Sequence, residues 1–156
     1  MRQGGGESET PGIVRYLVKG APDMLLHDAP PAELTQTRII EHIQRGLPVE
    51  ELDALQEILE IPIEKLAPKL GISKATLHRR KIEGRLGRDE SDRVVRFARL
   101  MGKAVEVFEN EKAARQWLKA PQVGLGSAVP LDYAETELGA REVEDLLGRI
   151  DYGVYS

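Results

Sequence analysis

The sequence predicts an all-α protein. From Thr35 onward, apolar residues recur at spacings of three and four. No segment alternates convincingly at period two, and Gly46, Pro48 and Gly84 stand at the ends of the periodic stretches. No internal repeat is visible.

The elements follow in order. The opening MRQGGGESETPG is Gly-rich, polar and aperiodic, the composition of a disordered segment. Two apolar clusters come next, Ile13–Val18 and Met24–Leu26, broken by Gly20, Pro22, Pro30 and Pro31. They read as a loosely held arm with one short strand or helical turn. After Thr35, Ile39, Ile40 and Ile43 share one helical face, and Gly46 stops the segment. Pro48 opens a second helix, with Leu52, Leu55, Ile58 and Leu59 on one side. A third lies in IPIEKLAPKLG, with Leu66, Ala67 and Leu70 inward; Pro68 removes a backbone donor, a loss tolerable near the first turn. A fourth covers about Ser73 to Glu83. A fifth starts after Asp89, a good N-cap residue, and carries Val94, Val95, Phe97, Ala98, Met101 and Val105. NEKAARQWLKA forms a sixth, with Trp117 filling core. PQVGLGSAVP reads as a loop, PLDYAET as one turn, and AREVEDLLGRI as the last helix, with Val143, Leu146, Leu147 and Ile150 inward. The expected organisation is a disordered or loosely packed arm over 1–34, a helical region over 35–100, and a C-terminal domain over 101–156.

Composition narrows the function. The chain has no cysteine, so disulfides and thiolate metal sites are excluded. Its apolar runs are far shorter than the roughly 20 residues that span a bilayer, and the N-terminus lacks a signal peptide's basic flank and apolar stretch. The expectation is a cytoplasmic protein with no membrane contact. His27, His42 and His78 are scattered without metal-ligand spacing, no catalytic triad or carboxylate pair stands out, and the glycines of GLGSAVP follow no strand. Neither an enzyme nor a cofactor is expected.

The net charge of −4 hides a segregation. Residues 1–72 carry 7 basic and 12 acidic side chains, residues 73–103 carry 10 and 4, and residues 104–156 carry 5 and 10. Within the basic block, IEKLAPKLGISKATLHRRKIEG has the layout of a helix-turn-helix. Leu66, Leu70, Ile72 and Leu77 lock the two helices, Ala67 permits their close crossing, Gly71 takes the turn and Ser73 caps the second helix. Arg80 departs from the pattern, standing where an apolar residue is common. A recognition helix enters the major groove N-terminus first, which turns Ser73, Lys74, Thr76, His78 and Arg79 outward. Lys74 or Arg79 suits guanine, and Thr76 suits a thymine methyl. Arg80, Lys81, Arg85 and Arg88 are placed for phosphates. A solvated helix face paired to carboxylates is the competing reading of the same charges.

With that motif in place, the stretches GISKATLHRRKIEGRLGRDESDRVVRFARLMGKAVEVF and TELGAREVEDLLGRIDYGVYS resemble the Xre/MbcA/ParS family of antitoxins, and among them those paired with RES-domain toxins. The resemblance covers roughly Thr35 to Ser156 and is most specific in the second stretch. It implies an Xre-like helix-turn-helix domain followed by a small helical toxin-binding domain with an extended tail. It further implies a partner toxin that consumes NAD⁺. Autoregulation at an operator containing an inverted repeat is expected, because a lone small helix-turn-helix rarely supplies enough affinity and dimers match palindromes.

The last residues fit that implication. Two of the four tyrosines, Tyr152 and Tyr155, sit beside Ile150 and Val154 at a terminus, where polar residues are usual. The resemblance implies that Tyr152, Val154 and Tyr155 are buried only against the toxin. The charges of this arm add to it: Glu142, Glu144, Asp145 and Asp151 suit a basic cleft, and Arg149 a carboxylate. The helix around Arg141 is the fallback blocking surface. The competing reading folds the tail back on its own helix. A homodimer is expected through apolar faces at 36–61 or 90–108, because Ile39, Ile40, Ile43, Leu55, Leu59, Phe97 and Met101 exceed what one small domain covers. A free-standing transcriptional regulator and an adaptor with a vestigial motif remain as alternatives.

Overall fold

One long helix organises the molecule. The computed structural model describes residues 12–19 and 34–153. Their helices are α1 (Ile13–Lys19), α2 (Gln36–Arg45), α3 (Glu50–Leu59), α4 (Ile63–Lys69), α5 (Lys74–Glu83), α6 (Arg88–Phe108), α7 (Glu111–Leu118), α8 (Pro130–Tyr133) and α9 (Glu137–Asp151), with a 3-10 turn at Val123–Leu125. Among the described residues there is no strand, only isolated bridges. Helix α6 is 21 residues long, about 32 Å at 1.5 Å per residue. It buries Val94, Val95, Phe97, Ala98, Leu100, Met101 and Ala104, and α1, α2, α3, α7 and α9 all pack on it. One apolar core therefore runs from Ile13 to Leu147 across both expected domains.

Several expectations change. Residues 13–19 are not a loose arm but a helix, with Ile13, Val14 and Val18 buried. Its first N–H groups have no intrahelical acceptors. The buried Glu51 of α3 supplies them: Oε2 accepts from Ile13 N at 3.0 Å and Oε1 from Val14 N at 3.0 Å. The cap lies 38 residues away, so no local signal announced this helix. Further along, α1 crosses α6 at Gly102, where a Cβ would lie 2.2 Å from Leu17 O. Residues 1–11 and 20–33 of the expected arm, including Met24–Leu26, lie outside the described residues.

The residues expected to be surplus at a dimer face mostly fill this core instead. Leu55, Leu59, Phe97 and Met101 are fully buried and Ile39 nearly so, because the length of α6 gives all of them an intramolecular partner. Ile40 alone of that set is exposed, at 51%. Helix α6 also begins earlier than the Asp89 cap suggested. Gly87 is its N-cap residue, and Glu90 Oε1 accepts the Gly87 N–H at 2.8 Å. Pro68 falls in the last turn of α4 rather than the first. The final helix starts at Glu137, with Thr136 Oγ1 accepting from Gly139 N at 3.0 Å. Gly139 is required there, since a Cβ would meet Tyr133 O at 1.7 Å.

Polar contacts stitch the two halves together. Arg115 Nε donates to Ile58 O at 2.8 Å, and Lys119 Nζ to Leu59 O and Glu60 O at 3.0 Å each. These side chains, from α7 and its C-cap residue, satisfy the open carbonyls at the end of α3, where Glu60 turns left-handed at φ 55°. Lys69 of α4 pairs with Asp132 of α8.

Candidate functional site

Helices α4 and α5 form the helix-turn-helix. Leu66 and Leu70 are buried, Ala67 and Ile72 nearly so, and Leu77 is half-buried against the core. Gly71 makes the turn at φ +72°, and Ser73 Oγ accepts from Thr76 N at 3.1 Å. Helix α5 itself has no buried residue. It rides on the surface, held by Leu77, its cap and one ion pair.

That ion pair explains Arg80. Its Nε donates to Glu90 Oε1 at 2.8 Å and its Nη2 to Glu90 Oε2 at 3.1 Å, while Nη1 donates to Glu83 Oε1 at 3.1 Å. Arg80 thus substitutes a charged clamp for the apolar contact usual at its position. Burial pushes the Glu90 carboxyl up, but the Arg80 guanidinium and the Gly87 N–H outweigh it and hold Glu90 below the ordinary carboxylate range. The hydrogen bonds that Arg80 donates to Glu90 and Glu83 raise it well above its usual value. Its guanidinium is therefore committed within the protein, whereas Arg79 on the same helix only approaches Glu83, at 4.0 Å.

Ser73, Lys74, His78, Arg79 and Lys81 are exposed on α5, and Thr76 is half-buried with its hydroxyl accepting from Ser73 Oγ at 3.0 Å. Arg85 and Arg88 are exposed just beyond it. Arg85 Nη1 also donates to Gly46 O at 2.5 Å. The structure adds Ile82, 73% exposed at the far end of α5, which a search for polar groups passed over.

Helix α9 has two faces. Ala140, Val143, Leu146 and Leu147 point into the core. Opposite them, Leu138, Glu142, Asp145, Arg149 and Tyr152 stand four and three residues apart, one stripe of a 3.6-residue helix, and all are exposed. Leu138 is 72% and Tyr152 83% exposed, an apolar or aromatic group at each end of a charged middle. Arg141 leans back to Glu137 at 3.4 Å. Glu144 lies off the stripe, lining a groove of about 420 Å³ between α2, α6 and α9 with Ile39, Val95 and Arg99. Asp151 is exposed, and Val154 and Tyr155 lie outside the described residues. Leu138 was not among the expected contacts, although its position out of register with the inward residues was the available signal. Val123, 83% exposed in the 3-10 turn beside α9, was also missed.

Two family profiles match the chain along these lines. The antitoxin Xre-like helix-turn-helix domain matches residues 38–99, and the antitoxin Xre/MbcA/ParS C-terminal toxin-binding domain matches residues 103–153. A curated relative, the antitoxin Xre of Yersinia enterocolitica, is 38% identical over 122 residues, 77% of this chain and 82% of that protein. The chain belongs to the Xre antitoxin family. The antitoxin Xre of Photorhabdus laumondii is 37% identical over 116 residues, 73% and 78% of the two chains. That of Pseudomonas putida is 34% identical over 65 residues, 42% and 41%. The two profiles meet inside α6, so in this Xre-family chain one helix belongs to both modules. Among the described residues, no cluster of His, Asp and Glu is arranged to hold a metal, and no helix is long and apolar enough to cross a membrane.

Proposed function

We propose that this antitoxin neutralises a cognate RES-domain toxin that degrades NAD⁺, and that it represses its own operon in the cytoplasm. The toxin contact runs through the outer stripe of α9 and the tail from Tyr152 to Tyr155. The observation that carries this reading is the exposure of Leu138 and Tyr152 at the two ends of a helix whose other face is buried. Large apolar groups left in water on a domain matched as toxin-binding are the usual form of interface anchors. Glu142, Asp145 and Asp151 suit a basic cleft, and Arg149 a carboxylate on its rim.

On the DNA side, Lys74 and Arg79 read bases from the major groove, with Ser73, Thr76 and His78 beside them. Lys81, Arg85 and Arg88 hold phosphates. Arg80 positions α5 through Glu90 rather than holding a phosphate itself. Two copies bind an inverted repeat, since one small motif rarely supplies enough affinity alone. Ile40 is the apolar residue of α2 left open for that association.

Co-expression with the toxin, scored by growth and cellular NAD⁺, tests the first half. Deleting 152–156 should abolish protection while leaving the melting temperature unchanged. Full protection by the truncated protein refutes the tail as the blocking element and moves it to the helix around Arg141. For the second half, a gel shift with the protein's own upstream DNA should show a specific complex lost in Lys74→Ala/Arg79→Ala. Equal binding by that variant refutes the placement of these residues.

A further inference from the structure

We propose that α2 carries a second DNA-backbone site, in which Arg38, His42 and Arg45 join Arg85 to bind phosphates flanking the bases reached by α5. The site rests on the reading of α5 as the DNA-contacting helix, and it extends the footprint to an element outside the motif.

Three observations place these groups together. Arg38, His42 and Arg45 are spaced four and three residues apart, one stripe of α2, and Arg45 Nη2 lies 3.3 Å from His42 Nδ1. The end of α2 is stitched to the chain leaving α5. Leu86 N donates to Leu47 O at 2.8 Å, Val49 N to Gly84 O at 3.0 Å, and Arg85 Nη1 to Gly46 O at 2.5 Å. A Cβ at Gly46 would lie 2.2 Å from Leu86 O, so this junction is tight. Arg85 is thereby laid against Gly46 at the C-terminal end of α2, one residue past Arg45.

The third observation is electrostatic. Among the described residues, no carboxylate oxygen lies within 4.0 Å of the guanidinium of Arg38, Arg45 or Arg85, whereas Arg80, Arg96, Arg115 and Arg141 each have such a partner. Burial, then Arg45 and Arg38, hold His42 below its usual value, with Arg85 adding to the effect and Glu41 opposing it. The local potential is therefore positive at a point where the sequence, net −5 over residues 1–72, looks acidic. Positive side chains with no carboxylate partner among the described residues, joined through Arg85 to the chain leaving the recognition helix, suit a polyphosphate backbone because each neutralised phosphate releases a counterion.

The test uses full-length protein and two DNA duplexes of equal length, the upstream operator and a scrambled sequence, with affinity followed across a salt series. Arg38→Ala/Arg45→Ala should weaken binding to both duplexes by the same factor and flatten the log–log salt slope by about two units, about 0.9 per lost phosphate contact. Arg38→Lys/Arg45→Lys, which keeps the charge, should restore most of the slope. An unchanged slope in the alanine variant, or a loss confined to the operator, overturns the site. Should the wild type bind neither duplex, the DNA reading of α5 falls together with this site. A slope that flattens while Lys74→Ala/Arg79→Ala has no effect would instead support α2 and remove α5.

Discussion

Arg80 and Glu90 form a two-pronged ion pair, 2.8 Å and 3.1 Å, between the recognition helix and the first turn of the helix that carries the core. With no buried residue of its own, α5 depends on this contact for its angle on the domain. We predict that Arg80→Ala destabilises the protein by about 2 kcal/mol, the usual cost of leaving a mostly buried charged acceptor short of its partner. DNA affinity should fall further than stability alone explains, because α5 loses its orientation. Denaturant unfolding beside operator titration checks both, and an Arg80→Ala variant of wild-type stability and affinity would show the pair to be ornamental.

The same pair sets an acid limit. The folded Glu90 carboxyl sits below its ordinary value, so the folded state binds its proton less readily than the unfolded chain does. Its stabilisation is then present above the unfolded carboxylate pKa and disappears as pH falls through the folded one. We predict that wild type loses stability faster than Glu90→Gln as pH falls from about 5 to about 3, a window that opens just above an unperturbed Glu near 4.3 and continues below it. Parallel curves for the two proteins would contradict the prediction.

Glu51 answers for α1. Replacing it by Ala leaves the Ile13 and Val14 N–H groups without acceptors in a buried place. We predict a loss of about 2 kcal/mol, shared between two cap hydrogen bonds of about 1 kcal/mol each. Amide exchange in residues 13–19 should accelerate more than exchange in α6. Uniform acceleration throughout would mean that α1 is not a separable unit but part of the same cooperative core.

What the sequence disclosed divides along physical lines. Periodicity exposed the helices of the motif and the inward face of α9, because a helix packed on one side writes its partner into every third or fourth residue. Ser73 and Gly71 were equally legible, since capping and left-handed turns demand particular residue types. Helix α1 was not, because its cap is Glu51, far along the chain. The role of Arg80 was hidden for the same reason, as its partner Glu90 lies in the next helix. Charge counting by segment obscured Arg38 and Arg45, which belong to an acidic stretch in sequence and to a basic patch in space. Burial of Leu55, Leu59, Phe97 and Met101 could not be told from an exposed apolar face before α6 was known to reach all of them.

Leu138 and Tyr152 supply the last prediction. They are 14 residues apart on the outer stripe of α9, about 21 Å along a helix axis. If both anchor the toxin, each alanine substitution should cost about 2 kcal/mol of binding. Sites so far apart share no neighbours, and their effects should add to within about 0.5 kcal/mol. The double variant should then bind roughly a thousandfold more weakly than wild type. Neither change should move the melting temperature or the operator affinity, because both side chains already stand in water. Titration of purified toxin against the two single variants and the double measures the cycle. If Tyr152→Ala weakens binding and Leu138→Ala does not, the contact is confined to the tail. If only Leu138→Ala weakens it, the tail is dispensable and the stripe itself is the blocking surface. Should the double variant bind like wild type, the toxin uses another face, and Val123, exposed in the turn beside α9, is the next residue to change.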